Sequence, residues 1–145
     1  MTITKHKRMT DDERDKLGAK TPGDWLAIVE EGQSWGFPDC YGQDASACTD
    51  VPEPTAVLDK HAAASGVAIT TGQLGTIVGT AALVAEWTKA KVLRVPLNAD
   101  GTATTGKAEP FLTGFKSPEA VLTLTDGTLL VGDWATGTLY AVTAG

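Results

Sequence analysis

The stretch GTLLVGDWATGTLYAV, residues 127–142, reads as two short strands around a turn, with apolar residues bounded by Gly and Asp. The same message stands 47 residues earlier in AALVAEWTKAKVLRV, residues 81–95. Laid over each other, the two match at Leu83/Leu130, Val84/Val131, Trp87/Trp134 and Val95/Val142. Glu86/Asp133 and Val92/Leu139 are conservative pairs. Self-similarity at a period of roughly 40 to 50 residues, built from short strands, is the signature of propeller blades. Each such blade is a four-stranded antiparallel sheet. Trp87 and Trp134 end the second strand of their units, and two rings at equivalent positions are expected to fill equivalent packing niches.

Working outward, the whole chain from about residue 61 reads as strands between turn signals. They are expected over residues 66–71, 81–87, 91–97, 109–112, 119–125, 128–133 and 138–143. Asp100-Gly101 and Asp126-Gly127 are hairpin turns in which the aspartates shape the turn rather than bind a metal. A further strand-like run, DWLAIVE, covers residues 24–30. After it comes a Gly-, Pro- and Asp-rich loop over residues 33–54, long enough to be functional or a linker. Residues 1–20 are charged; Thr10-Asp11-Asp12-Glu13 resembles a capping box, and a short helix over about 11–17, or a linker, is expected there. The predicted class is therefore all-β. Residues 1–20 form the linker or short helix, 21–60 a blade-ending strand plus the cysteine-containing loop, and 61–145 two blades. All of 21–145 is expected to belong to one propeller domain.

Composition narrows the partners. The chain has 145 residues, 42% of them hydrophobic, which suits one domain with a real core. A net charge of −6 and the lack of a basic stripe argue against a nucleic-acid surface. Lys5-His6-Lys7-Arg8 reads as a solvated tail. No apolar run approaches the roughly 20 residues of a membrane-spanning helix, so no membrane partner is expected. Cys40 and Cys48, in CYGQDASAC, read as a local disulfide pinning the loop, with two buried or unpaired thiols as the alternative. A disulfide implies an oxidising compartment, secreted or periplasmic. The polar N-terminus carries no signal peptide, which a native start upstream of Met1 would reconcile. Asp39, Asp44 and Asp50 carry oxygens of the kind calcium takes, but their spacing fits no calcium loop, so no metal ligand is assigned.

Topology points to a site. In a four-stranded meander, the loop leading into the first strand and the loop joining the second and third lie at the same end. The leading loops carry Trp35, Asp39 and His61 in one unit and Lys116 in the other. The second-to-third connections carry Glu86, Lys89 and Lys91 in one unit and Asp133 in the other. These polar groups are expected to gather at one mouth, the default place for a ligand. His61 is the candidate base, since its side chain is the one most easily tuned for proton transfer; a hydrogen-bonded loop histidine is the alternative. Lys116 is the candidate anion contact, against a simple solvated lysine. Trp35, Asp39, Glu86 and Asp133 are candidate rim residues. For Glu86 and Asp133 a structural hydrogen bond to a neighbouring loop N–H is the competing reading.

Four stretches together resemble a known family. DWLAIVEEGQSWGFPDCYG (24–42) is similar to the strand and aromatic Gly-Pro turn of glucose/sorbosone dehydrogenase-like propellers. LDKHAAASGVAI (58–69) resembles that family's His, small residue, Gly opening of a blade. KVLRVPLNADG (91–101) and FLTGFKSPEAVLTLTDGTLLVGDWATGTLYAV (111–142) are similar to its later strands and closing blade. The resemblance covers about residues 24–145 and the C-terminal part of a typical member. It implies about two to two and a half blades of a six-bladed ring. The missing blades would come from a longer parent or from self-association. It also implies oxidation of a sugar or polyol with pyrroloquinoline quinone and calcium. A histidine base takes the hydroxyl proton, and Lys or Arg side chains hold the quinone carboxylates. Where the closing blade often has Arg before Pro, this chain has Lys116-Ser117-Pro118. A non-catalytic propeller that binds a sugar or a protein is the alternative.

Overall fold

The computed structural model describes residues 23–36 and 51–144. The expected N-terminal helix, the loop aspartates Asp39, Asp44 and Asp50, and Cys40 and Cys48 lie outside the described residues. Within them, every regular element is a strand, and no helix is long and apolar enough to cross a membrane. Among the described residues, nine strands form three antiparallel sheets, none of them closed.

The middle sheet is the best specified. Strand β4 (Thr80–Glu86) is apolar at nearly every position and buried along almost its whole length. A strand covered on both faces has no solvent side, and so shows no alternation. It pairs with β3 (Ala64–Thr71) on one side and β5 (Lys91–Pro96) on the other, and β6 (Glu109–Thr113) completes the order β3-β4-β5-β6. On one face Ala82 and Val84 stand beside Leu93 and Val95; on the other Ala81, Leu83 and Ala85 stand beside Val92. The third sheet runs β7 (Pro118–Thr123), β8 (Leu129–Asp133), β9 (Thr138–Val142), joined first by the Asp126-Gly127 turn. In that turn Asp126 Oδ1 accepts the Thr128 N–H at 2.9 Å, and Gly127 takes a φ of 89°, open to glycine and strained for other residues.

The sheets stack as layers. The first sheet is only β1 (Trp25–Leu26) and β2 (Ala56–Val57), and its Leu26 and Ala56 press on the Ala82/Val84/Leu93/Val95 face. The opposite face of the middle sheet packs on Val121, Leu129 and Val131 of the third. The first strands of the second and third sheets run close together. Ser65 Oγ donates to Glu119 O at 3.1 Å, and a Cβ on Gly66 would fall 2.3 Å from that same carbonyl, so only glycine permits the approach.

Three details differ from the sequence reading. The strand expected over 24–30 is only two residues long, because the Ile28 N–H turns to the Thr55 side chain at 3.1 Å instead of a strand partner. Strand β2, which follows Pro52 and Pro54, was not foreseen. The tryptophans do not fill separate niches: Trp87 and Trp134 meet each other with ring centroids 6.0 Å apart. Trp134 remains 66% exposed, because among the described residues no sheet lies over the third one.

Candidate functional site

Four loops meet at one end of the stack, and the repeat builds them the same way twice. In the middle sheet, the turn after β4 donates Trp87 N–H to Ala63 O at 3.4 Å and Thr88 N–H to Ala62 O at 3.1 Å, tying it to the loop before β3. In the third sheet, Trp134 N–H donates to Ser117 O at 3.0 Å, tying the turn after β8 to the loop before β7. The Trp87–Trp134 contact and the Ser65 bond join the two units.

A carboxylate closes each unit from inside. Asp133 ends β8, and its two oxygens accept N–H groups from Lys116 at 2.6 Å, Ser117 at 3.0 Å and Ala135 at 3.2 Å. Burial pushes the Asp133 carboxyl up, but these N–H groups, with that of Thr136, outweigh it and hold the group below the usual aspartate value. Glu86 ends β4 at the equivalent place and is fully buried. Its Oε1 accepts the Asp59 N–H at 3.1 Å, while its Oε2 has no hydrogen-bond partner and lies 3.6 Å from Lys91 Nζ. Burial, reinforced by the nearby Asp59 charge, outweighs the Asp59 N–H and Lys91 and pushes Glu86 up to about 7. Lys91 Nζ also binds Asp59 Oδ2 at 2.5 Å, which lowers the Asp59 carboxyl. One longer side chain therefore separates the two units. Asp133 is a saturated acceptor, whereas Glu86 is a buried acid with one oxygen spare.

The candidate residues fall around these anchors. His61 sits half-buried in the loop before β3 with a φ of 53°, two residues from Ala63 at 48°, so the loop is tightly wound. Its carbonyl accepts the Thr88 hydroxyl, and its imidazole makes no hydrogen bond to another described residue. Lys116 is exposed; its N–H is held by Asp133 and its amine has no described partner. Trp35 stacks on Trp25 at 4.8 Å, and Asp24, beside Trp25, accepts the Ala64 N–H at 3.1 Å, linking this pair to the loop of His61. Asp39 lies outside the described residues. Sequence reasoning missed Asp59 and Asp24. Each acts on partners 27 to 40 residues away, and no local pattern marks such a pairing.

The fit to the implied cofactors is partial. A tricarboxylic quinone would find two exposed lysines here, Lys89 and Lys116, and one imidazole, His61. Calcium wants six to eight oxygens. Apart from Glu86 Oε2, which is fully buried, the Asp59, Glu86 and Asp133 oxygens at this end are committed to N–H groups or to Lys91, and among the described residues no three His, Cys, Asp or Glu side chains converge. These residues do not fit calcium.

No family model and no curated protein matches this chain. Among solved structures it is similar to a Thermus thermophilus protein provisionally described as an oxidoreductase (glucose dehydrogenase). The TM-score is 0.59 at 20% identity, over 76% of this chain. The match spans 30% of that longer chain, and at this identity what it establishes is the shared arrangement of sheets.

Proposed function

We propose that this chain is the C-terminal part of a glucose/sorbosone dehydrogenase-like β-propeller whose complete form oxidises a sugar or polyol with a quinone as acceptor. The observation that carries this reading is the layered order of meander sheets, similar over most of the chain to a protein described as a glucose dehydrogenase. In this reading the chain supplies one arc of the site's rim. His61, on a tightly wound loop and with no described residue bonded to its imidazole, takes the hydroxyl proton of the substrate. Lys116 pairs with a carboxylate of the acceptor as a point charge, without the planar two-bond grip of an arginine. The remaining rim and any calcium shell would come from other parts of the complete protein, so no step is derived through quinone or metal.

The test is sugar-dependent dye reduction by the complete protein that carries this chain, supplied with pyrroloquinoline quinone, calcium and a panel of aldoses and polyols. Turnover that falls about a hundredfold or more in His61→Ala supports the reading, on the usual worth of a general base. The committed carboxylates around the site favour a second reading, a sugar-binding module without redox chemistry. Saturable sugar binding without dye reduction would select it, and neither binding nor reduction would overturn both.

A further inference from the structure

The third sheet turns a bare apolar face outward. Alternation along its strands puts Val121, Val131 and Leu129 against the middle sheet. The register puts Ala120, Leu122, Leu130, Leu139 and Ala141 on the other side. Leu122 is 56% exposed and Leu139 65%. None of these side chains is charged, in a chain with a net charge of −6.

The repeat shows what such a face takes. Leu130 and Gly132 are the equivalents of Leu83 and Ala85, and those are covered by the apolar face of the next sheet. A smaller apolar surface stands at the other end of the stack. Leu26 and Ala56 face the middle sheet, so their neighbours Trp25 and Val57 point away from it. Trp25 is covered by Trp35, and Val57 is 51% exposed. The chain thus carries an outward apolar side at each end of its stack, and joining the two repeats the layer sequence in the same sense.

We propose that the outer face of β7–β9 docks head-to-tail on the β1–β2 face of a second copy of this chain. The contact is heterologous, face to opposite face, so each copy can receive one neighbour and supply another. It concerns the chain by itself and uses only the stacking of the sheets; in the complete protein of the sugar reading the same two faces would meet the remaining blades, so failure of the docking leaves that reading standing.

The test is solution mass by sedimentation and light scattering for the wild type, Leu139→Asp, Val57→Asp and an equimolar mixture of the two variants. The wild type is expected to exceed the 15.1 kDa monomer increasingly with concentration. Each variant alone should be a folded monomer, since each lacks one of the two faces. Their mixture should form a two-chain species, because one intact face of each kind remains. A monomeric wild type up to several hundred micromolar would overturn the proposal. So would self-association of Val57→Asp alone, which would mean that the outer face pairs with its own kind. Should Leu139→Asp lose its native circular dichroism, Leu122→Ser, at an equally exposed position, takes its place with the same expectations.

Discussion

Glu86 gives the sharpest prediction. It is fully buried, and its carboxyl titrates at about 7 rather than 4.5. A carboxyl whose folded pKa lies above its unfolded value binds its proton more tightly in the folded state. Stability from this group is therefore full below pH 4.5 and is lost as the pH rises to about 7. The whole window is worth about 3 kcal/mol, at about 1.4 kcal/mol per pKa unit. Roughly 2.5 kcal/mol of it falls between about pH 5 and pH 8. The perturbation is Glu86→Gln, which keeps an acceptor for the Asp59 N–H and removes the titrating charge. The assay is urea unfolding of both proteins at pH 5, 6, 7 and 8. With a urea slope of about 1–3 kcal/mol per molar, the wild-type midpoint should drop by on the order of 1–2 M across that range, and the variant's by much less. At pH 8 the variant should be the more stable of the two. A variant that is less stable at pH 8 and keeps the wild-type pH slope would refute the reasoning, and Glu86 would then be well paired as an anion.

Lys91→Met removes the cation shared by Glu86 and Asp59, so stability should fall by on the order of 2 kcal/mol at pH 8 and by less at pH 5, where Glu86 is protonated; urea midpoints at the two pH values check it. Asp133→Ala should speed hydrogen exchange at the Lys116, Ser117 and Ala135 amides. In the wild type the depressed carboxyl contributes stability above pH 3.8 that is lost below it, so protection at those amides should weaken in acid. Gly66→Ala should cost about 3 kcal/mol, because its Cβ meets the Glu119 carbonyl, which is backbone and cannot swing aside; thermal melts measure it. Leu83→Ala opens a cavity between the middle and third sheets and should cost about 2–5 kcal/mol in the same assay.

What was legible in the sequence follows from the range of the interactions. The strands of the two repeat units were readable because β4, β5 and β8 carry apolar runs bounded by Gly, Asp and Asn turns, all local signals. The Asp126-Gly127 turn was readable for the same reason. The first sheet was not, since β1 and β2 have two residues each, too few for any periodicity, and they meet across a long loop. In the site, the equivalence of Glu86 and Asp133 was visible in the repeat. Their difference was not: it comes from one extra methylene and from Asp59, whose N–H and carboxylate bind residues 27 and 32 positions away. The tryptophans looked like two packing residues because a repeat shows equivalence and not whether each copy has a neighbour.

The proposed site itself is tested most directly by mapping this chain's backbone amide shifts in the isotopically labelled complete protein during titration with glucose, a polyol and pyrroloquinoline quinone in turn. Changes concentrated at residues 58–63, 87–91, 114–117 and 133–136, with the quinone effect at Lys116 lost in Lys116→Ala, are the expected result. No change at tens of millimolar sugar, or changes confined to the opposite end around residues 98–106, would contradict it.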